Sequence, residues 1–215
     1  MRNQVRMFIA ALALSAEACC FDCAPQATTG IEGSAMLAGY WDSTLSLKLV
    51  VDPSWEALCG EEVLDQALQF WSANIGEDRF RKAYGSFQRQ NSVNAEPNAV
   101  YLKFAFEDES YELSEKQIRE YRNSVGDPNA PVPLALGMTV CQNTPFRGPN
   151  LIDKCSIAIR SCSWIVLAHE LGHALGFSHS DDPYNMMYIR AGKGTDQPYI
   201  LPEEIDLLSY TCENP

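Results

Sequence analysis

Histidine is scarce in this chain: there are three in 215 residues, and all of them lie between His169 and His179. Basic residues are also few. Sixteen Lys and Arg stand against twenty-eight Asp and Glu, a formal charge of −12. That balance repels phosphate backbones and provides no counterion-release term, so no nucleic-acid partner is expected. No apolar run reaches the ~18 residues of a spanning helix, so no transmembrane span is expected. Internal repeats and low-complexity tracts are missing. Cys20-Phe21-Asp22-Cys23 is the only C-x-x-C, and without a second pair it is a weak zinc signal. What remains is ample for a core. Apolar residues make up 46% of the chain, with nine Phe, nine Tyr and four Trp, enough for one domain of ordinary size.

The first residues read as an export signal. Arg2 and Arg6 precede an apolar stretch from Met7 to Ala16, and Ala16-Glu17-Ala18 has the small-x-small form of a cleavage site. Residues 1–18 are therefore assigned to a signal peptide, and the alternative is a short N-terminal core helix. Removing them takes away two arginines and Glu17, which leaves fourteen basic and twenty-seven acidic residues. All eight cysteines lie beyond the cut. In a secreted or extracytoplasmic protein they read as disulfides, with about 105 connectivities open and none assigned. Cys19 raises a rival, because Ala16-Glu17-Ala18-Cys19 resembles the lipid-attachment box of bacterial lipoproteins. A lipid anchor at Cys19 would leave seven cysteines.

Residues 19–43 are rich in Ala, Gly, Ser and Thr and suit a linker or short pro-segment. The domain proper is expected over 44–215. Leu45, Leu47, Leu49 and Val51 alternate as in a half-buried strand, which Asp52-Pro53 ends. From Glu61 to Asn74 the apolar residues recur at helical spacing. Val100 to Phe106 alternates again, after a polar connection at 88–98. A short helix is expected from Ser114 to Tyr121. Strands are expected at Leu136 to Cys141 and Cys155 to Arg160, an apolar helix at Trp164 to Leu175, and a closing helix at Glu203 to Tyr210. Leu201-Pro202 opens that last helix, and Glu203 and Glu204 occupy its first turn.

HELGHALGFSH, residues 169 to 179, carries the chemistry. His169 and His173 are four apart, so on a helix their rings lie one turn apart on one face, close enough to share an ion. Glu170 is rotated by about 100° from His169, where it can flank the ion and act as general base on a metal-bound water. Gly176 can end the helix in a left-handed turn, so that the chain doubles back and delivers His179 as third ligand. Three neutral imidazoles with an open fourth position describe a catalytic zinc site, whereas structural sites usually close with cysteine. The ion lowers its water's pKa from about 15.7 to about 7 and polarises a scissile carbonyl. A lone histidine on an apolar helix face is more often a core residue, and Glu170 could be a solvated helix charge. The glycine and the third histidine add two requirements that coincidence does not meet easily. An unpaired carboxylate in an apolar helix is also costly to bury.

These residues resemble the signature of the metzincin metallopeptidases, met in full by His169, Glu170, His173, Gly176 and His179. HELGHALGFSHS is most similar to the matrixin branch, which includes the matrix metalloproteinases. Met187, eight residues beyond His179 and just before Tyr188, resembles the family's Met-turn, a hydrophobic floor beneath the zinc. Met186 is the alternative assignment. VLDQALQFWSAN and LPEEIDLLSY resemble the first long helix and the closing helix of matrixins. There are departures. No histidine is left for a second, structural zinc, and CCFDCAP differs in spacing from a cysteine switch, although one of its cysteines could cap the zinc in a latent form. Calcium is common in the family, but no D-x-D-x-D-G loop is present.

The resemblance and the patterning together lead to an α+β fold: a metzincin-like zincin catalytic domain with a twisted mixed sheet of about four to five strands. An active-site helix, a second long helix and a C-terminal helix complete it. A substrate cleft is expected between an edge strand and the segment after the Met-turn, with residues 188–200 as the wall of a specificity pocket. An extended peptide or protein substrate could add to that edge by main-chain hydrogen bonds. The expected activity is that of a monomeric zinc endopeptidase. The alternatives are an exported zinc-binding module that recognises a partner without cutting it, and a metal-free, disulfide-rich structural protein.

Overall fold

The computed structural model describes residues 39–41, 46–76, 78–85, 98–104, 119, 122–123, 126–129, 136–143, 151–188 and 197–209. Five strands form one sheet: β1 (Leu47–Val51), β2 (Phe80–Tyr84), β3 (Ala99–Phe104), β4 (Gly137–Asn143) and β5 (Ile152–Ile159). Their order is β2-β1-β3-β5-β4. The first four in that order run parallel, and β4 runs antiparallel to β5 at the edge. This is the mixed α+β sheet that the patterning predicts. In β1 the alternation fixes the register: Leu47, Leu49 and Val51 are buried, while Lys48 and Val50 are only half-buried. A slip of one residue would turn all three to the other face.

Two elements depart from expectation. Asp52-Pro53 ends β1 and also opens a helix, α1 (Pro53–Cys59). Asp52 Oδ1 accepts from the Ser54 backbone N–H at 2.9 Å and from its hydroxyl at 2.7 Å, and proline at the first helical position has no N–H to leave unpaired. The other is β2, whose sequence FRKAY is too polar to stand out. It pairs only with β1 among the described residues, and its Lys82 reaches Glu61 at 2.8 Å and Asp65 at 2.7 Å. The expected helix at 114–121 lies outside the described residues, apart from Arg119 in a helical position.

Helix α2 (Glu61–Ile75) presents Leu64, Ala67 and Trp71 to α3 (Trp164–Leu175). Trp71 is fully buried, and its indole N–H donates to the Ala168 carbonyl at 2.8 Å, which satisfies the ring's one polar atom where water is excluded. One disulfide, Cys59–Cys162, joins the end of α1 to the residue before the α3 N-cap. A second, Cys141–Cys155, links register partners on β4 and β5. Cys19, Cys20, Cys23 and Cys212 lie outside the described residues. The closing helix lies where it is expected: α4 spans Pro202–Asp206 and tightens into a 3₁₀ turn over Leu207–Ser209, and Tyr210 lies outside the described residues. Among the described residues no helix is long and apolar enough to cross a membrane.

Candidate metal centre

Helix α3 is apolar on nearly every side, and every residue from Val166 to Gly172 is buried. It ends where the glycine predicts. Gly176 takes φ +109°, Phe177 N–H donates to Gly172 O at 3.0 Å, and Gly176 N–H donates to His173 O at 3.0 Å. These two bonds close the helix in a Schellman turn, which a residue with a Cβ would enter only under strain. The turn drives Phe177 onto Trp71, ring on ring at 5.7 Å. With Phe177 anchored, the chain passes back along the helix, and His179 meets the two helix histidines.

The three rings converge. Ring centroids are 4.7 Å apart for His169 and His173, 4.7 Å for His173 and His179, and 5.4 Å for His169 and His179. One ligand nitrogen from each lies within 4.8 Å of the other two. His169 Nδ1 donates to Met186 O at 2.9 Å, and His173 Nδ1 donates to Phe177 O at 2.8 Å. A carbonyl can only accept, so in both rings the hydrogen sits on Nδ1 and the lone pair on Nε2. His169 is buried, His173 half-buried and His179 exposed as a residue, yet His179 Nε2 turns inward, 3.1 Å from His173 Nε2. All three rings are held far below the ordinary imidazole range, at about 3. Loss of water is the first cause, and the neighbouring ring is the second. They are therefore neutral at physiological pH.

This donor set fits zinc. Two nitrogens bound to one tetrahedral zinc at about 2.0–2.1 Å lie about 3.3 Å apart, close to the 3.1 Å between His173 and His179. Fixing the Nδ1–H of His169 and of His173 on carbonyls selects the tautomer and ring orientation of these two, as ligating imidazoles require.

Glu170 is 5% exposed. Its carboxylate turns to β4, where Oε2 accepts from the Thr139 hydroxyl at 2.6 Å. Burial pushes its pKa up to about 7, and the Thr139 bond pulls the other way. Met187 is wholly buried, and a Cβ built at Gly172 would run into its sulfur and into the Trp71 ring at 2.7 Å. Met186 contributes backbone instead, its carbonyl accepting from His169 and its N–H donating to Tyr199 O at 2.7 Å. The two methionines divide the work: one packs and the other orients a ring.

Four residues that the sequence did not single out as site residues surround this group. Gly137 and Thr139 meet Glu170 from β4. Asn185 donates from its amide to both carboxylate oxygens of Glu204, at 3.0 and 3.1 Å, and its own Oδ1 accepts from Met187 N–H at 2.8 Å. Glu204 also accepts from Leu201 N–H at 2.8 Å. Its reading as a helix-end charge misses this inward turn, and no local pattern announces it, because Asn185 is nineteen residues away.

The matrixin family profile matches residues 106–204, a stretch that includes β4, β5, α3 and the start of α4. A search of curated proteins finds no match. Taken with the five-stranded mixed sheet, the profile match supports a likeness to the matrixin metallopeptidases over that stretch of the chain.

Proposed function

We propose that this chain is a zinc-dependent endopeptidase in which His169, His173 and His179 hold the ion, Glu170 is the general base and Met187 forms the floor. The observation that carries the reading is the convergence of three neutral imidazoles, two of them with Nδ1–H already committed to a carbonyl. Zinc held there would supply a Lewis acid for the scissile carbonyl and a water acidified to about neutrality. Glu170 takes the proton of the attacking water and returns it to the leaving amine. A carboxyl poised near 7 by burial suits both transfers. Strand β4, at the sheet edge beside α3, receives an extended peptide by main-chain pairing. Tyr188 and Tyr199 are tied to the Met-turn segment through the Ser180–Tyr188 and Asn185–Tyr199 bridges.

The same reading makes residues 1–18 an export signal and 44–215 the catalytic domain, with peptides or proteins as substrates outside the cytoplasm. Intact mass of the exported protein checks the cut and reports any lipid on Cys19. For the activity, purified protein is assayed on a protein substrate alongside Glu170→Ala and His179→Ala. The expected result is about one zinc per chain in the wild type and in Glu170→Ala, none retained in His179→Ala, and cleavage by the wild type alone. Cleavage that survives Glu170→Ala, or a wild type without zinc, overturns the reading.

A further inference from the structure

The conformation of Glu170 is set from outside its own helix. Gly137 and Thr139 are two apart on β4, so they share one face of the strand, the face turned to α3. At Gly137 the missing side chain is what gives the glutamate its place: a Cβ there would lie 2.6 Å from Oε1, 2.7 Å from Cγ and 2.9 Å from Cδ. A side chain there would force the glutamate tip to shift, so the carboxylate as it stands lies over bare backbone. At Thr139 the hydroxyl oxygen lies within hydrogen-bond reach of two acceptors, both belonging to Glu170: Oε2 at 2.6 Å and the main-chain carbonyl at 3.0 Å. One atom of β4 therefore references the helix backbone and the side-chain tip together.

We propose that Gly137 and Thr139 form a seat that fixes the Glu170 carboxylate in its working rotamer, and that Thr139 is a positioning residue for the base. The inference rests on the peptidase reading above. Glutamate has three side-chain torsions, and in an apolar helix nothing local holds them. A glycine that opens a slot and a hydroxyl that closes it hold the tip from two directions. The accuracy matters because a displacement of about 1 Å in a reacting group can cost about a hundredfold in rate. The seat also lies on the sheet's edge strand, where an extended peptide would pair. Substrate and base are then registered to the same few residues of backbone, with no mobile segment between them.

The test compares kcat and KM for three variants of the zinc-loaded full chain. Thr139→Val keeps the shape and removes the donor. It is expected to lower kcat at least tenfold, move KM less than twofold and keep one zinc per chain. Thr139→Ser restores the donor and recovers most of kcat. Gly137→Ala displaces the carboxylate from the other side and lowers kcat by a similar factor, which keeps the test alive should the valine variant fail to fold. A readout free of activity comes from urea unfolding of Thr139→Val, Glu170→Ala and the double variant, whose midpoint shifts should be less than additive. Wild-type kcat in Thr139→Val, a loss that serine does not recover, or additive midpoints would overturn the seat. Should the wild type show no Glu170-dependent cleavage, the peptidase reading falls, and the unfolding cycle alone decides whether the seat exists.

Discussion

Two regions of this molecule reach order by different means. From β1 to the end of α3, side chains are fixed by exclusion from water: Leu49, Val51, Val100, Leu102, Ile157 and Leu167 are fully buried, and Trp71 ties the two long helices. Among the described residues from His179 to Ser209, regular ladders give way to single bridges and aimed polar contacts. Asn185 links Glu204 to the Met187 backbone, Asp182 accepts from Tyr184 N–H and from the Tyr199 hydroxyl, and Met186 joins His169 to Tyr199. Burial is non-directional and tolerates repacking, whereas a hydrogen-bonded segment needs each partner in its place. The first region sets whether the chain folds; the second, through the Met186 carbonyl, orients the His169 ring.

Substitutions that separate these roles test the comparison. The largest effect belongs to the apolar region. Leu49→Ala should cost about 2–5 kcal/mol of unfolding free energy in urea while the folded fraction keeps its zinc; a zinc affinity that fell in step would merge the two regions.

A pH series on metal-free protein comes next. Burial raises the Glu170 pKa from 4.5 to about 7, so the folded state keeps a proton that the unfolded state has released. That contribution is full below pH 4.5 and is lost as pH rises through about 7. The three rings act in the opposite sense: depressed from 6.5 to about 3, they contribute stability above pH 6.5 that is lost as pH falls toward 3. Glu170→Gln isolates the first effect. Its stability gain over wild type should grow between about pH 4.5 and 7, to about 3 kcal/mol, and a gain independent of pH would contradict the burial argument.

Glu204→Ala should follow, costing about 1–3 kcal/mol because the Asn185 amide is left without its buried acceptor. Its sharper signature is faster zinc loss to a chelator, since the contacts it breaks support the Met187 segment. Slower or unchanged loss would detach the lower region from the metal. The smallest effect is expected of Tyr199→Phe, at most about 1 kcal/mol in the same unfolding assay, because the ring is 37% exposed.

The contrast also explains what could be read from the sequence. Strand β1, helices α2 and α3, the Gly176 turn and the histidine convergence are written in spacing, because one buried face imposes a period and one turn imposes a glycine. Helix α1 was legible in principle from Asp52-Pro53-Ser54, a capping residue before a first-turn proline, but the same residues also read as the end of a strand. Strand β2 was not legible, since an edge strand buries little and Lys82 is satisfied by α2 instead of a core. The Gly137–Thr139 seat and the Asn185–Glu204 pair escape for a deeper reason: their partners are 31 and 19 residues away, and hydrogen bonds across such separations leave no periodic trace.

The two disulfides span very different lengths of chain, 14 residues for Cys141–Cys155 and 103 for Cys59–Cys162. Closing the longer loop costs about 2 kcal/mol more in chain entropy, and it brings together a helix end and a helix start that only the assembled domain makes neighbours. Oxidation should therefore proceed from the inside of the hairpin outward, with the short bridge formed first and the long one sealing a structure already in place. Thiols trapped during refolding would reveal that order, and an oxidising compartment would act on this chain as a ratchet that locks the β4–β5 pair before it locks the molecule.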